Sequence, residues 1–233
     1  SLYEKRIFDS YNDFFTRKIR VEERPVNPDA NALVSPSDGK VSVYKIHENG
    51  HFLIKHTEYT LEQLLQDKKL AKRYLDGHIY VIRLTVDDYH RYCYAADGRK
   101  SEQRKIAGIL HTVNPVANDV CPIYKMNSRE YCLIKTEQFG TLLQMEVGAL
   151  MVGKISNNQQ GLGFVHKGVE KGRFEFGGST IILLTQKNVV IPDRDLLEHT
   201  GSGMETLVKM GEQIGRCLLY TSPSPRDRTR SRM

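Results

Sequence analysis

From Ala32 onward the apolar residues of this chain fall in short runs punctuated by Gly, Pro, Asp and Ser, and that spacing constrains the fold more than any other feature. Leu33-Val34 is followed by Ser35-Pro36-Ser37-Asp38-Gly39 and then by Val41-Ser42-Val43-Tyr44 in alternation, which predicts strand, turn and strand. Further strand-like segments lie at residues 78–86, 141–147, 150–155 and 180–185. Nothing repeats in the β–α–β order of a parallel doubly wound sheet. The expected fold is therefore mainly β (α+β), with an antiparallel β-sandwich or flattened-barrel core.

Two helices are expected beside the strands. Tyr3, Ile7, Phe8, Tyr11, Phe14, Phe15 and Ile19 form a helical stripe flanked by Lys5, Arg6, Arg17, Lys18 and Arg20. Such an N-terminal amphipathic helix packs its stripe on the core or lies in a membrane interface. The second helix covers residues 60–74. It starts at Thr60, whose hydroxyl caps while Gln63 reaches back, and places Leu61, Leu64, Leu65, Leu70 and Tyr74 on one side.

The 233 residues are 39% apolar and 27% charged, enough for a sizeable core. Mean hydropathy is −0.46, and no apolar stretch approaches the roughly 18 residues of a membrane-spanning helix. The chain opens at Ser1 without a secretory signal pattern, and a preceding natural segment is expected. Cys93, Cys121, Cys132 and Cys217 are too irregularly spaced for a disulfide framework and include no CxxC pair, so a reducing compartment and no metal site are read.

The formal charge of +6 is unevenly spread: Arg226, Arg228, Arg230 and Arg232 against Asp227 put +3 in the last seventeen residues and leave +3 for residues 1–216. A mildly basic body suits an anionic lipid surface or an acidic ligand and is no argument for nucleic acid. At Cys217 the composition turns to Ser, Pro and Arg without periodicity. Residues 217–233 are accordingly expected to be a disordered, non-native tail, with a natural basic tail as the rival, and residues 1–216 to be a single domain.

Three places combine reactive side chains with turn geometry. In Ser35-Pro36-Ser37-Asp38-Gly39-Lys40, Asp38 alone reads as a turn aspartate. In Asp88-Tyr89-His90-Arg91-Tyr92-Cys93, after a strong strand, a lone His is more often structural than catalytic. In Phe176-Gly177-Gly178-Ser179-Thr180 the glycines read locally as a hairpin turn. Lacking a Cβ, Gly178 also suits a strained main chain that exposes its carbonyl carbon to the Ser179 hydroxyl.

Together these motifs resemble the pyruvoyl-dependent phosphatidylserine decarboxylase proenzyme family. The resemblance runs from Phe14-Phe15-Thr16-Arg17 and Arg24-Pro25 through the motifs of Asp38 and His90 to Val147-Gly148-Ala149, Val152-Gly153, the Ser179 motif and Lys209-Met210-Gly211. It covers nearly all of residues 11–216. It implies that Ser179 Oγ attacks the carbonyl of Gly178, that the resulting ester undergoes β-elimination, and that residue 179 becomes a pyruvoyl group. The chain would then consist of residues 1–178 (β chain) and 179–216 (α chain).

The resemblance further implies a Schiff base between that ketone and the amine of phosphatidylserine, loss of carbon dioxide, and release of phosphatidylethanolamine. Asp38 is expected to orient and charge-stabilise His90, and His90 to activate Ser179 and to return a proton later. The family commonly reads Asp-Tyr-His-Arg-x-His, and this chain has Cys93 at the second histidine. Three candidates for the base stay open, in this order: His90 in both roles, Cys93, and His111. The implied setting is the cytoplasmic side of a bacterial cell membrane, approached peripherally on its anionic surface, with a homodimer as a further expectation.

Three rival readings fit parts of the sequence. A pyruvoyl decarboxylase of a soluble amino acid fits the same motifs but not the amphipathic opening. A serine hydrolase lacks its G-x-S-x-G elbow. A non-catalytic lipid-surface or carrier-like β domain would explain residues 35–41 and 208–215 as hairpins, yet leaves Gly178-Ser179 without a purpose.

Overall fold

A computed structural model describes residues 2–4, 7–54, 57–109, 123–148, 154–175 and 179–218. In chain order its strands are β1 (Ala32–Val34), β2 (Gly39–Lys45), β3 (His51–Ile54), β4 (Thr57–Thr60), β5 (His78–Leu84), β6 (Arg91–Cys93), β7 (Gly98–Lys100) and β8 (Arg104–Ile106). They continue with β9 (Arg129–Lys135), β10 (Thr141–Val147), β11 (Ile155–Asn157), β12 (Gly163–Val165), β13 (Glu170–Phe174) and β14 (Ser179–Thr185). The last three are β15 (Val190–Pro192), β16 (Thr206–Val208) and β17 (Gln213–Cys217). The helices are α1 (Tyr11–Phe15), α2 (Leu61–Leu65), α3 (Lys68–Ala71), α4 (Ile123–Met126) and α5 (Arg194–Gly201).

The expected mainly β architecture is what the chain adopts. One large sheet runs β12-β7-β9-β10-β14-β5-β2-β16, with β8 also paired to β9. Its named pairings are antiparallel, and it does not close into a barrel. Two smaller sheets, β1-β17-β15 and β11-β13-β6, supply the second layer. Val41, Tyr80, Ile82, Leu84, Ile181 and Leu183 of the large sheet share a core with Leu33, Tyr92, Phe174 and Ile214 of the smaller ones. On the opposite face Ile79, Val81, Ile182, Leu184 and Met145 pack with Phe52, Tyr59, Leu61, Leu64 and Tyr74. Being covered on both sides explains why β14 is an unbroken buried run, Ser-Thr-Ile-Ile-Leu-Leu-Thr.

The helical expectations need two corrections. The N-terminal stripe does not form one helix: Ser10 caps α1 by accepting from the Asp13 N–H at 3.1 Å, and α1 stops after Phe15. The flanking segments instead pair in extended form, with Tyr3 bridging Ile19 and the Glu4 N–H donating to the Lys18 carbonyl. Pairing satisfies main-chain groups that a lone short helix would leave to solvent. The second helix does start at Thr60, whose hydroxyl accepts from the Gln63 N–H. It ends where Gln66 turns left-handed at φ 49°, and Asp67 then caps α3. Of the strand expected at 150–155, residues 150–153 lie outside the described residues, and β11 begins at Ile155. The last strand takes in Cys217, which is buried. Among the described residues no helix is long and apolar enough to cross a membrane.

His78, at the start of β5, carries a pH signature. Burial, helped by the Lys45 charge, lowers its imidazole from 6.5 to about 4. A folded-state value below the unfolded one means that this contribution to stability is complete above pH 6.5 and is lost as pH falls toward about 4. Urea unfolding followed across that window should show the loss, and His78→Gln should flatten it. An unchanged pH dependence in the variant would assign the loss to other groups.

Candidate active site

Ser179 opens β14, where it pairs with Leu84, the last residue of β5. Strand alternation puts its side chain on the same face as Ile181 and Leu183, toward the smaller sheets. The residue is 1% exposed, and its Oγ has no hydrogen-bond partner among the described residues. Phe176, Gly177 and Gly178 lie outside the described residues.

On the other side of β5 runs β2, paired Lys40 to Arg83. One residue earlier, Gly39 sits at φ 146°, where a Cβ would come within 2.7 Å of the Arg83 carbonyl oxygen, so only glycine lets the Asp38 turn press against the end of β5. Two strand spacings, roughly 10 Å, then separate the main chains that carry Asp38 and Ser179. Asp38 is 7% exposed. Its Oδ1 accepts from Arg24 Nε at 2.8 Å and from the Met210 N–H at 2.9 Å, and its Oδ2 accepts from Arg24 Nη2 at 2.5 Å. That carboxylate raises the Arg24 guanidinium pKa further, against the lowering by burial.

His90 lies past this same end of β5, on a loop held by Asp88. Asp88 Oδ2 accepts from the Thr85 N–H at 2.6 Å and from the Thr85 hydroxyl at 2.8 Å. The carbonyl of the same Asp88 meets His90 Nδ1 at 2.8 Å. A carbonyl only accepts, so Nδ1 carries the hydrogen and the neutral ring holds its lone pair on Nε2. The ring is therefore oriented by its own loop, while the Asp38 oxygens face Arg24 and Met210.

The N-terminal segment folds over this histidine. The Phe15 ring packs on the His90 ring, tilted by 41° at 4.2 Å between centroids, the Ile19 N–H donates to the Tyr89 hydroxyl, and the Thr16 carbonyl accepts from Arg91 Nε. The His90 carbonyl accepts from the Phe174 N–H at the end of β13, five residues before Ser179. Asp38, His90 and Ser179 are thus gathered at one end of the sandwich, all buried, where β5 and β13 end and β2 and β14 begin.

Cys93 also approaches the Asp38 turn. Its N–H donates to the Pro36 carbonyl, and its Sγ lies 3.9 Å from the Ser35 carbonyl. Burial pushes its thiol up to about 12, and Asp38 adds to the rise. His111 lies outside the described residues. Two participants carry no residue-type signal of their own: Arg24, noted only beside Pro25, and the Asp88 main-chain carbonyl. Gln144, buried in β10, fixes the β6 end by bonding the Cys93 carbonyl and the Ala95 N–H.

A family model described as phosphatidylserine decarboxylase matches residues 11–216. The chain belongs to the phosphatidylserine decarboxylase family. Among its relatives, phosphatidylserine decarboxylase proenzyme 2 of Clostridium acetobutylicum is 46% identical over 215 residues, covering 92% of this chain and 73% of the relative. Phosphatidylserine decarboxylase proenzymes of Fusobacterium nucleatum and Clostridium novyi are 42% and 41% identical, over 92% and 91% of this chain and 73% and 72% of theirs. The stretch matched to the phosphatidylserine decarboxylase family contains all three clustered residues and Arg24.

Proposed function

We propose that this chain is a phosphatidylserine decarboxylase that cuts itself between Gly178 and Ser179. The observation that carries the reading is the Ser179 hydroxyl, buried and without a partner among the described residues, on the same sandwich end as His90. A buried polar group left unbonded costs about 1–3 kcal/mol, so a hydroxyl kept at that position serves chemistry better than packing.

In the proposed maturation His90 Nε2 takes the Ser179 hydroxyl proton, Oγ bonds to the carbonyl carbon of residue 178, and the 178–179 C–N bond breaks as its nitrogen is protonated. Removal of the hydrogen on Cα of residue 179 then expels the carboxylate of residue 178. Water replaces the nitrogen, which leaves as ammonia, and a ketone remains. The products are residues 1–178 and a second chain that starts at 179, through 216 and whatever follows. Once in place, the pyruvoyl group supplies the electron sink for loss of carbon dioxide from a serine-headed lipid. In this proposal His90 holds and returns the proton.

The surface beside the site suits a lipid substrate. Ile7, Tyr11, Phe14 and Val21 are exposed, by 91% at Ile7 and 84% at Val21. The Arg17 guanidinium lies over the Tyr3 and Phe14 rings at 3.9 and 4.3 Å. Apolar and cationic groups together favour peripheral docking on an anionic membrane, and Phe15 of the same helix touches His90.

Mass measurement of freshly folded protein tests the reading. The expected result is two chains meeting at 178/179, the second lighter by one ammonia and reactive toward hydroxylamine, with Ser179→Ala remaining whole. Processed protein should release carbon dioxide from phosphatidylserine vesicles and not from free serine. An intact, folded wild-type chain without a trappable carbonyl would overturn the proposal.

A further inference from the structure

Asp38 is the acid among the three clustered residues Asp38, His90 and Ser179, yet its hydrogen bonds go to Arg24 and Met210, and their geometry says what the carboxylate is for. Arg24 grips both oxygens through Nε and Nη2, the two-pronged arrangement that fixes a carboxylate in plane as well as in place. Both side chains are 10% exposed. A third Arg24 nitrogen, Nη1, is anchored on the Glu23 carbonyl at 2.8 Å, so the guanidinium is itself held before it holds Asp38.

Around this pair three stretches distant in sequence meet. The Asn27 N–H donates to the Gly211 carbonyl, the Gly211 N–H to the Ser35 carbonyl, and the Ser35 N–H to the Glu212 carbonyl. The Met210 N–H completes the set on Asp38 Oδ1. The same turn receives the Cys93 N–H on Pro36, three residues beyond His90. The charge of Asp38 reaches that loop as well, adding to the elevated pKa of both Tyr89 and Cys93.

We propose that Arg24 is a positioning residue for self-processing: by clamping Asp38 with both prongs, it locks the Asp38 turn to the 210–212 hairpin and so registers the His90 loop against the strand that begins at Ser179. This rests on the self-cleavage reading and extends it. Met210 falls in the chain that would start at 179, whereas Arg24 and Asp38 fall in the other. Through the Met210 N–H on Asp38 the clamp therefore also bridges the two products.

The test follows chain cutting by mass in full-length protein, with thermal melting recorded in parallel. Arg24→Ala should cut roughly tenfold to a hundredfold more slowly, as small misplacements of reacting groups do. Non-denaturing guanidinium ion should restore part of the rate and an equal concentration of urea should not. Arg24→Lys should fall between, because an ammonium cannot span both oxygens. If Arg24 acts through Asp38, Arg24→Ala combined with Asp38→Asn should be no slower than Asp38→Asn alone.

Wild-type cutting by Arg24→Ala, or by folded Arg24→Lys if the alanine variant does not fold, overturns the inference. So does slowing that guanidinium leaves untouched and that multiplies with the Asp38→Asn effect, which marks a merely structural arginine. A folded wild-type chain that never cuts removes the self-cleavage reading and this inference together. Cutting of wild type and variants at equal rates removes the inference alone.

Discussion

Truncating Lys171 to alanine should cost about 3–5 kcal/mol of folding stability, a large share of the roughly 5–15 kcal/mol that holds a domain together. Lys171 Nζ lies 2.6 Å from Glu146 Oε2, and neither side chain has any exposure. The ammonium also donates to Asn157 Oδ1 at 2.8 Å, and Asn157 Nδ2 donates to Glu130 Oε2 at 2.9 Å. Glu130 and Glu146 stand opposite each other in the β9–β10 register, and the lysine bonds the second directly and is linked to the first through Asn157.

Burial holds the Glu146 carboxyl above the ordinary carboxylate range, although Lys171 pulls it down. A folded-state value above the unfolded one means that the contribution of Glu146 is complete at acid pH and is lost as pH rises through the folded value. Without Lys171 the damage should therefore be greatest at neutral pH and shrink on acidification. Urea unfolding at about pH 7 and about pH 5 checks both the size and the sign. Replacing the pair together, Lys171→Met with Glu146→Leu, should recover most of the loss, because two matched apolar side chains remove both desolvation penalties. A Lys171→Ala protein within about 1 kcal/mol of wild type at neutral pH would show that the ammonium compensates nothing.

The same pair shows where sequence reading reaches its limit. In β10 the order Leu-Leu-Gln-Met-Glu-Val alternates like a strand with one wet face, but Gln144 and Glu146 are wholly buried because the smaller sheets cover that side. Burial of a polar face depends on a second layer supplied by residues far along the chain, which local periodicity does not contain. The strands themselves are legible: 78–86, 141–147 and 180–185 are rich in apolar and β-branched residues and fall close to β5, β10 and β14. The N-terminal stripe misleads for the opposite reason, since its helical spacing is real, yet Ser10 starts a helix late and Tyr3 finds Ile19 instead. Helix α5 offers only Leu196 as a buried anchor, too little for a periodic signal.

At the site, Asp38, His90 and Ser179 stand out through motif order and family resemblance, and the fold gathers them at one end. What motif order leaves out is how each is held. Arg24 and Asp38 are fourteen residues apart and Asp38 and Met210 are 172 apart. Neither spacing follows a secondary-structure period, and a main-chain carbonyl such as that of Asp88 has no residue-type signature.

That carbonyl leads to the sharpest chemical prediction, that His90→Ala slows chain cutting by about a hundredfold to ten-thousandfold, the range expected for loss of a placed general base. The Asp88 carbonyl fixes the Nδ1–H tautomer, Phe15 fixes the ring plane, and the basic lone pair is left on Nε2. Cys93 is the poorer candidate on physical grounds. With its thiol pushed up to about 12 it keeps its proton at neutral pH, so Cys93→Ala should cut within about threefold of wild type. Exogenous imidazole should restore part of the rate to His90→Ala and none to Ser179→Ala, because it replaces a missing base but not a missing nucleophile. The measurement is the time course of the two product masses. If His90→Ala matures at the wild-type rate while His111→Ala stays whole, the base is His111, and the tautomer held by Asp88 serves only to seat the ring beneath Phe15.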